Sequence, residues 1–163
     1  MRYLVTGGLG FIGHNLVQNL VDNGHTVRIL DNQSAACVSP EFITSKGVDF
    51  VLGDIRDSVV CRQSTALMDV IVHLAGQTGV PSSITNPTHD LLANGVGTQN
   101  MLEAAVQAGV RRLVLASSNA VFGHQTPPLH ERMVPRPISP YGVSKLAAEG
   151  YCYAYHRNHG LET

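Results

Sequence analysis

Tyr141 and Lys145 stand four residues apart directly after a proline-rich stretch, and Lys145 is one of only two lysines in the chain. On a helix this spacing puts both side chains on one face. An ammonium beside a phenol stabilises phenolate, so the pair can act as a base toward a hydroxyl near neutral pH. The spacing alone is a weak signal. Ser117 and Ser118 close a candidate strand, Arg112 to Ala116. A hydroxyl at that position can bond a substrate oxygen and steady developing charge, or can simply be a polar strand end.

A second group of residues points to phosphate. Gly8-Leu9-Gly10-Phe11-Ile12-Gly13 matches GxGxxG, and Thr6-Gly7 extends it. It follows a candidate strand and opens a candidate helix, the context in which glycines let the backbone turn tightly against a pyrophosphate and helix N–H groups stabilise its charge. Asp31 ends the next strand roughly 20 residues on, where a carboxylate accepts from ribose hydroxyls and repels a 2′-phosphate. Asn32-Gln33-Ser34 supplies no arginine to offset that repulsion, so NAD is expected rather than NADP. The other reading of Asp31 is a solvated strand end. Asp54, after the third strand, is placed to accept from an adenine amino group or to cap the following helix, a task Asp57 can equally perform. His73-Leu74-Ala75-Gly76 ends the fourth strand with small residues that let a cofactor approach the backbone.

These residues need a frame. Short β-branched runs alternate with helical patterns, which predicts an α/β fold: a Rossmann-like, doubly wound parallel sheet with helices on both faces. Strands are expected at Tyr3 to Thr6, Thr26 to Leu30, Asp49 to Leu52, Val70 to Leu74 and Arg112 to Ala116, in the order 3-2-1-4-5. Helices are expected at Phe11 to Asn23, Arg56 to Ala66, His89 to Ala108 and Pro140 to Asn158, with Ser34 to Gly47 unassigned. Ser139 and Pro140 read as N-cap and first residue of the last helix. Five of the eight prolines fall between Pro127 and Pro140, so Gly123 to Ser139 is expected to be an irregular loop walling the active cleft. Gly95 and Gly97 each cost about 1 kcal/mol inside a helix, and close packing against the cofactor crevice or a partner helix would account for them. The residues at Gly160 to Thr163 read as a helix cap followed by the start of another strand, as if the sequence were interrupted.

The chain has 163 residues, 44% hydrophobic and 14% charged, with a net charge of −1. That is one domain, or part of one, with a sizeable core, and it disfavours disorder and an electrostatic nucleic-acid binder. No apolar run reaches the ~18 residues of a membrane helix and no signal peptide is recognisable, so a cytoplasmic location is expected. Cys37, Cys61 and Cys152 show no metal or redox spacing and read as reduced structural thiols. His156 and His159 have no third ligand nearby, so no metal site is assigned.

In order along the chain, Thr6 to Gly13, Asp31-Asn32, Gly53 to Asp57, His73 to Gly76, Ser117 to Gly123 and Ser139 to Lys145 resemble the motifs of extended short-chain dehydrogenase/reductases. The resemblance is to the NAD-dependent sugar epimerase/dehydratase group related to UDP-glucose 4-epimerase, and it spans nearly the whole chain. It implies that residues 1–163 form the NAD-binding domain, cut before a carboxyl-terminal substrate-binding part. It places the catalytic serine three residues before Val121, on Ser118, beside Tyr141 and Lys145. Cofactor contacts are implied for Gly7, Gly10, Phe11, Ile12 and Gly13 in the loop and for Asp31, Asn32, Asp54 and Ile55 at the adenine end. Further contacts are implied for Leu74, Ala75, Gly76 and Asn94, with Tyr141 and Lys145 at the nicotinamide. Dehydratases of the group follow the serine with acidic residues, whereas Asn119-Ala120 stands here, which favours epimerase chemistry. A nucleotide sugar, with UDP the expected nucleotide, is the implied substrate. A homodimer through helices His89 to Ala108 and Pro140 to Asn158 is the implied assembly.

Overall fold

A computed structural model describes residues 1–163. Its centre is a five-stranded parallel sheet built from β1 (Arg2–Thr6), β2 (Thr26–Asp31), β3 (Asp49–Leu52), β4 (Val70–His73) and β5 (Arg112–Leu115), in the order 3-2-1-4-5. Register is continuous from strand to strand, with Thr6 opposite Leu30 on one side and His73 on the other. The expected Rossmann-like architecture is therefore the observed one. Successive strand residues point to opposite faces, which divides the apolar side chains between two cores. Val5, Val27 and Ile29 pack with Leu9, Val17, Leu20 and Ile43 under α1 (Phe11–Asp22) and α2 (Pro40–Thr44). Leu4, Leu30, Ile71 and Leu113 pack with Cys61, Met101, Leu102 and Cys152 on the other face, under α3 (Ser58–Thr65) and two longer helices.

Several boundaries differ from expectation for local reasons. The helix expected from Arg56 starts at Ser58 because the Asp57 carboxylate accepts from the Val59 and Val60 N–H groups and so becomes the N-cap. Ser39 caps α2 in the same way, inside the stretch left unassigned. A short helix, α4 (Val80–Thr85), occupies a region in which none was expected.

The helix expected at His89 to Ala108 starts earlier and is not uniform. Asn86 caps it and Pro87 opens it; α5 (Pro87–Asp90) then runs into a π-helical turn at Leu91–Val96, which leads into α6 (Gly97–Gln107). Gly97 packs, as expected, against a wall of the cofactor crevice, the side chain of Ile55. A Cβ there would stand 2.6 Å from Ile55 Cδ1, so the glycine lets the helix seat against Ile55. Gly95 meets the Leu91 side chain of its own helix.

The final helix, α7 (Pro140–His159), has the expected Ser139 cap and Pro140 start, and ends at Gly160 in the left-handed conformation. Beyond it Glu162 forms a parallel bridge with Arg112 at the edge of β5, in line with the strand start expected there. The proline-rich stretch is irregular, as expected, but supplies no residue to the crevice. Arg136 N–H donates instead to Val121 O, and Pro137 packs on Gly142. The loop thus braces the 3-10 turn Asn119–Val121 against α7 rather than walling the cleft. No helix is long and apolar enough to cross a membrane.

Candidate active site

A crevice of about 860 Å³ runs across the carboxyl ends of the strands, at the switch point between β1 and β4 where open α/β sheets bind ligands. Its middle is made by the glycine-rich loop that follows β1, the central strand. Gly7 has φ of +70°, and a Cβ there would meet Ala75 N at 2.8 Å, while a Cβ on Gly13 would overlap Gly7 O. The loop, β4 and α1 therefore approach one another more closely than any side chain permits. Gly10 is the N-cap of α1 and has no side chain with which to cap it, and the first turn contains no acidic residue. Its free N–H groups and positive helix end face the crevice beside exposed Phe11 and Ile12. This cradle fits a pyrophosphate.

Asp31 is nearly buried. One carboxylate oxygen accepts from Leu9 N–H at 3.0 Å and the other from Gln33 N–H at 2.7 Å. It fixes the glycine loop from below while lining the crevice. Asp54 lies next to it, held by the Arg56 guanidinium and backbone N–H and by the Asn32 amide. Hydrogen bonding from Arg56 keeps this carboxyl well below the usual carboxylate range. Of the two tasks weighed for Asp54, helix capping belongs to Asp57.

Tyr141 and Lys145 lie toward the β5 side, in the first turns of α7, both buried and both lining the crevice. Tyr141 is positioned through its backbone, whose N–H donates to the buried Ser83 hydroxyl on α4. Burial lowers the Lys145 ammonium below the ordinary lysine range, and the Asp90 and Glu149 carboxylates oppose that shift. Ser117 also lines the crevice, its hydroxyl directed to the Glu149 carboxylate. Ser118 sits just behind, where its Oγ accepts from Ala120 N–H and caps the 3-10 turn.

Of the residues singled out from sequence, Gly7, Gly10, Phe11, Ile12, Gly13, Asp31, Asn32, Asp54, Ile55, Leu74, Ala75, Gly76, Tyr141 and Lys145 all line this one crevice. Ser118 and Asn94 do not. Asn94 is buried behind the wall because its amide is fully engaged. Its oxygen accepts from Gln77 N–H, and its nitrogen donates to Gln77 O, Asp90 Oδ1 and Ser144 Oγ. Sequence reasoning missed Arg56, Gln77, Ser82, His89 and Cys37 as lining residues. Cys37 is exposed there, unlike the two buried cysteines, whose thiols burial pushes up to about 12 for Cys61 and about 11 for Cys152.

The family model for NAD-dependent epimerases and dehydratases matches residues 3–163. The chain belongs to the NAD-dependent epimerase/dehydratase family. NAD is the cofactor of this family, and the uncapped α1 terminus, the glycine cradle and the acidic Asp31 fit it. Among family members, UDP-glucose 4-epimerase of Mycolicibacterium smegmatis is 40% identical over 171 residues, covering 99% of this chain and 53% of that protein. A dTDP-glucose 4,6-dehydratase of Streptomyces antibioticus is 36% identical, covering 99% and 51%. The crystal structure of Thermus thermophilus UDP-glucose 4-epimerase with NAD superposes with a TM-score of 0.91 at 37% identity, covering 99% and 52%. The chain spans about half the length of the relatives it matches.

Proposed function

We propose that the protein is an NAD-dependent nucleotide-sugar epimerase acting on a UDP-sugar. The observation that supports it best is that Tyr141 and Lys145, both buried, line the same crevice as the phosphate cradle. In this reading Tyr141 takes a proton from a sugar hydroxyl and later returns one to the same oxygen. Lys145 holds the cofactor ribose and favours the Tyr141 phenolate. Ser118 steadies the substrate oxygen from the end of β5. Bound NAD supplies the transient acceptor for the geminal hydride. Asp31, Asn32 and Asp54 hold the adenosine end.

Asn119 and Ala120 follow the serine, so no carboxylate stands there to drive elimination of water. That favours epimerisation over dehydration. The UDP-glucose 4-epimerases among the relatives support a UDP-sugar as substrate. The sugar-binding residues belong to the second half of a family-sized protein, so the 163-residue chain alone turns over little or no substrate. We further assign a homodimer through the helical segments His89 to Ala108 and Pro140 to Asn158, where Leu91 and Tyr151 are exposed.

The test is incubation of the family-length protein with UDP-sugars, following epimer formation together with NADH absorbance. Tyr141→Phe removes the proton acceptor and keeps the ring, so turnover should fall ~10²- to 10⁴-fold while NAD stays bound. Undiminished turnover in this variant refutes the mechanism. Steady NADH release without epimer makes the protein a dehydrogenase, loss of water from the sugar makes it a dehydratase, and NAD binding without any turnover makes it a binding module.

A further inference from the structure

Asp90 is 1% exposed at the end of α5. Its Oδ1 accepts one hydrogen bond, from Asn94 Nδ2 at 3.1 Å, and its Oδ2 has no partner. A buried carboxylate held by a single amide is poorly compensated and needs a cation or a proton. The chain holds eleven lysines and arginines, and Lys145 is the one that is buried. Its other buried carboxylate, Asp31, has both oxygens occupied by backbone N–H groups. One uncompensated acid and one buried base thus lie on two helices that pack together, α5 and α7.

Asn94 joins those helices. The nitrogen that donates to Asp90 also donates to Ser144 Oγ at 3.2 Å, and Ser144 precedes Lys145. Ser144 in turn donates to Tyr141 O at 3.0 Å. We infer that Asp90 is the buried counter-charge of Lys145 and, through Asn94 and Ser144, a positioning residue for the Tyr141–Lys145 pair. The inference rests on the catalytic reading of that pair but is tested apart from it.

The groups facing Lys145 divide clearly. His73 on β4 is neutral, because burial pushes its ring down to about 3. Cys152 on α7 is neutral, its thiol pushed up by burial. Glu149, also on α7, is half-buried and engaged by Ser117. Tyr141 and His89 line the crevice itself. The π turn and α4 bring no ionisable side chain. Of the two anions, Glu149 is partly exposed and bonded to Ser117, whereas Asp90 is buried with one oxygen unpartnered, and it holds the ammonium charged against the desolvation that opposes it.

The experiment reads Lys145 directly. With lysine ¹³Cε labelling and Lys46→Arg, the 163-residue chain keeps a single lysine whose pH titration is followed by NMR. Asp90→Asn should lower the Lys145 midpoint by about one pH unit or more, and Asp90→Glu, which keeps the charge, should restore most of it. Asp90→Ser, small and uncharged, reads the same loss if the amide variant does not fold. A Lys145 midpoint unmoved in the neutral variants, or moved equally by Asp90→Glu, overturns the inference. This readout needs no turnover, so a failed epimerase assay overturns the proposed function without touching it.

Discussion

Thr6 and His73 sit opposite each other in the β1–β4 pair, with the Thr6 hydroxyl 2.7 Å from His73 Nδ1. The surrounding bonds settle the protons. Thr98 gives its hydroxyl proton to Asn94 O at 2.6 Å, so its oxygen accepts from His73 Nε2–H, and Nδ1 is left to accept from Thr6. Ala75 N–H donates to the same Thr6 oxygen, which fixes the backbone beneath the glycine loop.

His73 is held neutral, its ring pushed by burial from an ordinary 6.5 down to about 3. Because the folded-state value is depressed, the unfolded chain binds the extra proton first, and stability falls as pH drops through the window from 6.5 to 3. Between pH 7 and pH 5 this group should remove about 2 kcal/mol from unfolding free energy. Urea denaturation of wild type and His73→Gln at both pH values checks it, with the variant expected to lose most of the difference.

Asp31 has two tasks, and its substitution should show both. Asp31→Ala removes the acceptors of Leu9 and Gln33 N–H as well as the ribose acceptor. Loss of charge-assisted bonds of about 1.5–3 kcal/mol predicts NAD binding weakened roughly 10- to 100-fold. NADP should suffer less, since the repulsion of its phosphate is relieved. Calorimetric titration with both cofactors measures this, and an unchanged preference would remove Asp31 from cofactor selection.

The serine pair offers a sharper discrimination. Ser117 lines the crevice but is directed to Glu149, whereas Ser118 caps the 3-10 turn from just behind. Ser118→Ala should lower turnover of the family-length protein more than Ser117→Ala. The reverse order in steady-state kinetics would transfer the substrate contact to Ser117.

Gly97→Ala sets two effects against each other. Helix propensity favours alanine by about 1 kcal/mol, but the added carbon would stand 2.6 Å from Ile55 Cδ1 and 2.8 Å from its Cγ1. Overpacking of that kind costs about 1–3 kcal/mol. Net destabilisation is expected in urea melts, accompanied by weaker NAD binding because Ile55 lines the crevice.

The parts of this site that were legible in sequence are those written in contiguous residues. The glycine loop, Asp31 at the strand end and the Ser139-Pro140 helix start each combine a residue type with a local conformation, and strand alternation supplied their order. The brace formed by Gln77, Asp90, Asn94 and Ser144 was not legible. It joins positions 77 to 144 by side-chain bonds that no periodicity encodes. The π turn was not legible because the four residues Pro87–Asp90 before it carry too few apolar side chains to show a shifted stripe; only the cost of Gly95 and Gly97 hinted at it. Proline content foretold an irregular loop, but its place was decided by tertiary contacts such as Arg136 with Val121.

The π turn at Leu91–Val96 also sets a phase. Each residue of an ordinary helix advances the direction of its side chain by about 100°. A wider turn therefore dials everything before it, Asp90 included, to a different compass bearing from α6 behind it. The bearing is stored as a count of residues rather than as a choice of side chains. Deleting Gly95 would let the turn relax to α-helix and swing Asp90 away from α7, whereas most single substitutions in the same turn would leave its aim unchanged. In this chain, the length of the turn sets the side of the helix on which Asp90 lies.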